Sequence, residues 1–477
     1  MAGRFLNAFK PLSRFIPEVK PPERRVRFAE KIFWTAIALV LYLIMSEIPL
    51  YGIGVGGEDN LLYYRVIFAS SRGTLMELGI GPIVTAGLIL QVLTSSGFVS
   101  CDFSDPEDRA LFTGASKVLS IVMTGAQALA YPIGGLLGNL NPRQSIIIFL
   151  QLLAAGIILM LLDEMIQKGW GIGSGISLFI MAGVAQNIMW SCFSTMPVSE
   201  GEGSTRYYGV ISALIQMATG GGSVSSLLVS PGNYPSIAGL ITTIGVFLFV
   251  IYVQGIRIEI PVSHANYRGF RGKYPINLLY VSNLPVIFAS ALFGNIYFVS
   301  QILWNNYGQS SLAPWISLLG QFQLQASTNT LVPVGGLANY VIAPRGFSDV
   351  INNPIRSIIY AVILTIFCVV FSLTWLAVGG LDPKAVAKQL VDSGMQIPGF
   401  RRSERPIESI LKRYIPIVTV LGGLIVGLLA SIADFFGAFG TGTGILLTVG
   451  IIYQYYQELV KERISEMYPS LQRFLGG

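Results

Sequence analysis

The chain has 477 residues, of which 52% are apolar and only 12% charged, with a mean hydropathy of +0.63. Soluble domains carry about 25% charged residues, so this composition excludes a disordered chain, a disulfide scaffold and a water-soluble enzyme of this size. The charges are also segregated. Ten charge-free windows, from Ile32–Ser46 and Leu78–Cys101 to Tyr414–Ala433 and Phe435–Gln457, can each supply a bilayer-spanning helix of roughly 20 apolar residues.

In chain order, residues 1–16 place Phe5, Leu6, Phe9, Leu12, Phe15 and Ile16 among Arg4, Lys10 and Arg14, an amphipathic segment suited to the membrane interface. A basic stretch precedes the first apolar run and no cleavage site follows it, so no signal peptide is expected. Spans are predicted near 31–50, 74–96, 111–135, 143–163, 174–193, 237–257, 281–303, 356–378, 414–434 and 441–460. The segment Leu61–Arg72 is too short to cross and reads as a re-entrant or external helix. The stretches 194–236 and 304–355, rich in Gly, Ser, Pro, Asn and Gln, read as solvent-exposed loops or short hairpins. The resulting division is an N-terminal segment 1–30, a first half 31–193, an external loop 194–236, a second half 237–460 and a tail 461–477.

The basic residues set the orientation. With ten spans and a cytoplasmic N-terminus, 25 of the 31 Lys and Arg face the cytoplasm. Arg65, Arg72, Arg143, Arg206, Arg345 and Arg356 remain outside, and an even span number returns the C-terminus to the cytoplasm. The loops 257–280 and 379–413 carry the basic surface that could meet an anionic partner. The three cysteines, Cys101, Cys192 and Cys368, fit no metal or disulfide spacing.

An internal repeat is visible. Gly171–Ile176 (GIGSGI) opens the fifth span and Gly440–Ile445 (GTGTGI) the tenth, while Pro82–Gly87 in the second span matches Pro285–Ser290 in the seventh. Both pairs lie five spans apart, and an odd spacing gives the halves opposite orientation. Inverted halves favour a protein that moves something through its own centre. No carboxylate pair or charged ring appears at mid-span. Branched aliphatic side chains stand there instead, Ile80 and Val84 on the second span and Ile176 and Ile180 on the fifth, and such residues can dewet a narrow path. Ser174 with the single histidine, His264, makes a poor protease dyad. The Gly-rich strings lack the Gly-Lys-Ser/Thr of a phosphate loop. A secondary solute transporter, which shares the inverted repeat, remains the alternative.

The stretches GTLMELGIGPIVTAG from Gly73, LLDEMIQKGWGIGSGISLF from Leu161 and KYPINLLYVSNLPVIFASALFGN from Lys273 resemble the SecY family of protein-conducting channels, the archaeal form most closely. GLDPKAVAKQL from Gly380 and GAFGTGTGILLTV from Gly437 do so too. The resemblance implies an all-α polytopic membrane protein of ten transmembrane helices in two inverted five-helix halves, with a short plug helix and no enzymatic activity or cofactor. By motif it assigns a pore ring to Ile80, Val84, Ile176, Ile180, Ile287 and Leu447. It assigns a plug containing Leu61, Leu62, Arg65, Val66, Ile67 and Arg72. A lateral gate between spans two and three and spans seven and eight would carry the polar residues Thr85, Gln127 and Asn295. Ribosome docking would fall to Arg268, Arg271, Lys273, Arg401, Arg402 and Arg405. Implied partners are a SecE-type gamma subunit, a small beta subunit, the ribosome, a nascent chain with its signal sequence, the signal recognition particle receptor and membrane lipid. The implied location is an archaeal cell membrane or, alternatively, the endoplasmic reticulum membrane. Two departures stand out. Many relatives carry a glutamate near the end of span eight, facing the plug arginine, where this chain has Ala377, so a weak anchor for Arg65 is expected. Gly81 replaces a serine frequent in eukaryotic members.

Overall fold

The computed structural model describes residues 4–13, 16–24, 26–53, 65, 68–99, 101, 106–134, 140–199, 205–220, 227, 234–264, 271–279, 281, 284–308, 313–325, 330–344, 346–396 and 404–467. Among these, one long helix answers to each predicted span: α1 (Phe28–Glu47), α2 (Gly81–Ser95), α3 (Pro106–Ile133), α4 (Pro142–Met165), α5 (Gly175–Phe193), α6 (Ile237–Gly255), α7 (Leu284–Tyr307), α8 (Pro354–Val378), α9 (Glu404–Phe435) and α10 (Gly442–Met467). Seven of them, all but α2, α3 and α10, are long and apolar enough to cross a membrane. The exceptions have simple causes. Helix α3 carries Lys117, Gln127 and several Ser, Thr and Gly along its length, and α10 carries Tyr453, Gln454, Tyr455, Tyr456, Gln457 and Glu458 in its second half, so neither holds a sufficiently apolar stretch. Helix α2 has 15 residues and is about 22 Å long, short of a hydrocarbon core about 30 Å thick.

Two boundaries differ from expectation. The predicted second span begins at 74, yet residues 71–80 form turns and the helix opens at Gly81 with Pro82 in its first turn, where a missing N–H costs nothing. Gly79 enforces this break. Its φ is +52°, and a Cβ there would stand 2.2 Å from the Phe68 carbonyl oxygen. Helix α9 starts ten residues before the predicted 414. Ile407, Leu411 and Ile415 continue one apolar face beyond the span and bury against Val386, Ala387 and Leu390 of the helix Pro383–Asp392.

Short strands decorate the bundle. β1 (Pro197–Ser199) pairs with β2 (Thr205–Tyr207), and β5 (Gln321–Gln325) with β6 (Thr330–Gly335). β3 (Arg257–His264) lies between β4 (Arg271–Asn277) and β7 (Met395–Gln396) in a three-stranded sheet. The stretches expected to be loops therefore hold more structure than predicted, including the helices Val210–Gly220, Ala313–Leu319 and Leu337–Val341. The N-terminal helix Arg4–Ser13 buries Leu6 against Leu90, Val99 and Ala115, so it packs on α2 and α3 while Lys10 is exposed. Behind it, Lys117 and Lys168 both pair with Glu164, at 2.6 and 2.7 Å, and both reach Glu18. The hydrogen bond from Lys168, more than the charge of Lys117, holds the Glu18 carboxyl below its usual pKa. Trp170 Nε1 donates to the Lys20 carbonyl at 2.9 Å and completes the tether of this segment.

The two halves repeat one capping device. Near the end of α4, Asp163 Oδ1 accepts from the Ile176 amide at 2.9 Å, and the Gly175 amide also donates to this carboxylate, closing the start of α5. Near the end of α9, Asp434 Oδ1 accepts from the Gly442 amide at 2.6 Å, closing α10, while Oδ2 accepts from the Tyr360 hydroxyl at 3.0 Å. Gly175 permits the close approach, since a Cβ there would meet the Asp163 Cα at 2.6 Å. Taking the helix starts as equivalent sets the register of the repeat. Pro82 and Pro285 are each second in α2 and α7, and Val84 and Ile287 each fourth. Ile180 and Leu447 are each sixth in α5 and α10. This register is two residues from the one suggested by matching the glycine strings, because Gly442 rather than Gly444 begins its helix.

Replacing Asp434 by Ala removes the carboxylate that accepts from the Gly442 amide and the Tyr360 hydroxyl. It should cost about 1–3 kcal/mol. Asp434→Asn, which keeps one acceptor oxygen, should lose less. Thermal unfolding of the detergent-solubilised protein, followed by size-exclusion fluorescence, measures both; equal melting of wild type and Asp434→Ala would refute the assignment.

Candidate functional site

The six aliphatic residues expected at the centre fall within one extended apolar cluster. Ile80, Ile180 and Leu447 are fully buried, Val84 nearly so, and Ile176 and Ile287 are half-buried. All six belong to a single apolar cluster fed by both halves of the chain. Each sits at or just inside the start of its helix, α2, α5, α7 or α10; Gly81, Gly175 and Gly442 are buried there and Leu284 half-buried.

The segment before α2 closes on itself beside this cluster. Leu61, Leu62, Val66 and Ile67 lie outside the described residues. Arg65 is helical and buried, Phe68 packs against the cluster, and Arg72 sits half-buried in a turn. Arg65 Nη2 binds Glu77 Oε1 at 2.6 Å, with the two side chains 8% and 0% exposed. The other Glu77 oxygen accepts from the Gly73 amide. The Ile80 amide donates to the Phe68 carbonyl at 2.7 Å, and the Tyr42 hydroxyl to the Ala69 carbonyl at 3.1 Å. The expectation of a weakly held Arg65, drawn from Ala377 on α8, is corrected: the acidic partner is local, twelve residues along the chain. Sequence analysis assigns Glu77 no partner. Its signal was the single carboxylate in the otherwise uncharged run from Gly73 to Cys101.

A polar chain crosses between the halves next to this loop. Asn295 on α7 donates through Nδ2 to the Thr85 hydroxyl on α2 at 2.9 Å and to its own helix at the Ala291 carbonyl. Gln127 on α3 donates to Asn295 Oδ1 at 3.4 Å. The three residues border a cavity of about 50 Å³ that also touches Arg65, Phe68, Glu77 and Tyr131. Gly81 opens onto it: a Cβ there would lie 3.5 Å from the Phe68 ring and 3.9 Å from Gln127 Oε1.

The basic residues of the two large loops are partly described. Arg268, Arg401 and Arg402 lie outside the described residues, Arg271 opens β4, and Arg405 is exposed in the first turn of α9. Lys273, on β4, forms an ion pair with Glu259 on β3. That bond, ahead of the more distant charge of Arg257, holds the Glu259 carboxyl below its usual pKa. Pairing of His264 with Met395 sets the bases of both basic loops side by side. Sequence reasoning treated these loops separately.

Removing Arg65 strands the Glu77 carboxylate in a buried site, so Arg65→Ala should destabilise the loop before α2 by about 3–5 kcal/mol, whereas the double variant with Glu77→Ala should recover much of the loss. Hydrogen exchange of the amides of residues 68–80 is the readout. Protection unchanged in Arg65→Ala would count against the pair as an anchor.

Comparison with known proteins agrees with this architecture. The SecY family model matches residues 74–456, and the model for the plug domain of Sec61p matches residues 40–73. The protein translocase subunit SecY of Pyrococcus furiosus is 42% identical over 475 residues, covering 98% of both chains. The Sec61 alpha subunit of Dictyostelium discoideum is also 42% identical, covering 97% of this chain and 98% of its own. Among solved structures, one described as a protein conducting channel superposes with a TM-score of 0.81 at 41% identity, covering 96% of this chain and 98% of its own. Sec61 from a canine ribosome-channel complex gives 0.79 at 41%, with the same coverage. With family models spanning most of its length and such relatives end to end, this chain is a multi-pass membrane protein that belongs to the SecY family.

Proposed function

We propose that the chain is the central channel subunit of a protein translocase, passing secretory polypeptides across the membrane and releasing apolar segments sideways into lipid. The observation that carries this reading is the Thr85–Asn295–Gln127 chain, the polar seam between the two halves beside a buried aliphatic centre. Hydrogen bonds between membrane helices are worth about 0.6 kcal/mol on average and rarely above about 1.7. A seam of two or three is strong enough to hold α2 and α3 against α7 and weak enough for an apolar signal sequence to replace.

In this reading Ile80, Val84, Ile176, Ile180, Ile287 and Leu447 form the constriction. Their branched side chains dewet a narrow neck, so ions do not pass while a polypeptide can. The loop around Arg65 rests on one side of the neck as the plug, and the Arg65–Glu77 pair holds it. The equivalent positions of Val84 with Ile287 and of Ile180 with Leu447 support a neck built from both repeats. The alternative of a solute carrier has no counterpart among the relatives named above.

The paired loops at β3, β4 and β7 are the docking face. Ribosomal RNA presents phosphates, and basic side chains held side by side favour a salt-sensitive contact. The canine relative, described within a ribosome-channel complex, supports the ribosome as partner. SecE-type gamma and beta subunits and the signal recognition particle receptor complete the proposed partners. Both termini and the docking face lie in the cytoplasm of an archaeal cell, or its counterpart at the endoplasmic reticulum, on the strength of the basic-residue asymmetry.

Replacing Ile176 and Ile180 together by Ser should raise resting ion conductance in planar bilayers; conductance equal to wild type would remove both residues from the neck. Charge reversal at Arg401 and Arg405 should weaken cosedimentation with ribosomes about tenfold or more at moderate salt while leaving solubilised yield unchanged. Undiminished binding would move the docking face elsewhere.

A further inference from the structure

The run 304–344 contains no Lys, Arg, Asp or Glu. A water-facing loop of that length carries about ten charged residues at ordinary composition. The expectation of solvent-exposed loops sits badly with this, and the structure supplies a different setting.

The helix Ala313–Leu319 does not project beyond α7 but folds back along it. Ser300 Oγ donates to the Leu319 carbonyl at 3.4 Å, and the Phe322 ring meets Tyr297 edge-on, with centroids 5.5 Å apart. At 1.5 Å per residue, Ser300 is about 10 Å and Tyr297 about 15 Å short of the end of α7 at Tyr307. Gly320 makes the approach possible: a Cβ there would stand 3.1 Å from Ser300 Cβ and 3.0 Å from Ala338 Cβ. Next to Ala338, the Asn339 carbonyl accepts from Arg356 Nε at 2.9 Å, and Arg356 pairs with Asp349 at 3.2 Å. Arg356 is the third residue of α8. An ion pair with both partners part-exposed at the end of a span marks headgroup level, because hydrocarbon excludes it. The helix Ala313–Leu319 is thereby held at the boundary between lipid and water.

Its side chains suit that level. Ile316 faces inward and is 7% exposed, whereas Trp315 is 74% and Leu318 67% exposed. Nearby, Val334 and Leu337 also present apolar surface outward. Tryptophan collects at membrane interfaces, where an apolar ring with one polar N–H meets both phases.

We propose that the helix Ala313–Leu319 is an interfacial lipid anchor, with Trp315 and Leu318 seated among the glycerol and upper acyl carbons of the leaflet opposite the basic loops. It pins the end of α7, the helix that carries Asn295, to the membrane surface. Lipid is the occupant favoured over a protein because the whole run is uncharged and the helix lies at the level of a span end.

The test uses the full chain in phosphatidylcholine vesicles brominated either near the carbonyl end or near the terminus of the acyl chains. The emission of wild type minus that of Trp315→Phe isolates Trp315. Bromine near the carbonyl end should quench this difference at least roughly twofold more than bromine near the terminus, with little quenching by aqueous iodide. Strong iodide quenching without bromolipid quenching places Trp315 in water and overturns the anchor. Insensitivity to all quenchers means a protein surface covers it. Stronger quenching from the chain terminus means the helix is buried in hydrocarbon, which overturns the interfacial placement as well.

Discussion

A helix that begins inside a membrane protein leaves its first amides without water to bind, and satisfying them organises this molecule. Helices α2, α5 and α10 begin at buried residues and α7 at a half-buried one, and each reduces its orphan donors locally. Helices α2 and α7 place a proline second, which removes one donor outright. Helices α5 and α10 receive a carboxylate from the preceding helix, Asp163 in one half and Asp434 in the other. Both solutions occur twice, in inverted halves. Val84, Ile180, Ile287 and Leu447, just inside these helix starts, all belong to one apolar cluster.

Around that centre the structure uses two strengths of polar contact for two purposes. The Arg65–Glu77 pair is buried on both sides, so neither charge can be released without a penalty of several kcal/mol. The Thr85–Asn295–Gln127 seam is neutral and loosely made, one of its bonds at 3.4 Å, and each bond is worth about 1 kcal/mol or less. A firm latch on the loop and a weak seam between the halves lie against the same small cavity. The ion pair and the seam therefore share lining residues around one space, Arg65 and Glu77 on one side and Thr85, Gln127 and Asn295 on the other.

The same separation of roles holds at the two membrane surfaces. On the basic side, α9 extends beyond its span and packs on the helix Pro383–Asp392, and β7 joins β3 and β4, making one platform from two loops. At the far end of α7, the uncharged hairpin β5–β6 and the short helices Ala313–Leu319 and Leu337–Val341 fold back along it and are tied through Arg356 to α8.

Hydropathy and charge segregation alone located all ten long helices, and motif spacing paired the halves, because crossing hydrocarbon demands about 20 apolar residues and leaves little freedom in where charges go. The same local rules could not find the start of α2, which Gly79 and its contact with Phe68 delay by seven residues, or the extra turns of α9, whose apolar face is buried by a helix and strands from the loops predicted to face the cytoplasm. Nor could they find the partner of Arg65: a missing glutamate at Ala377 suggested a weak anchor, but Glu77 is brought to Arg65 by a tight loop. Sequence thus determined where the long apolar helices lie. Tertiary structure decided which buried charge meets which, which helix starts coincide and which loops pair, since each depends on contacts between residues that no local periodicity relates.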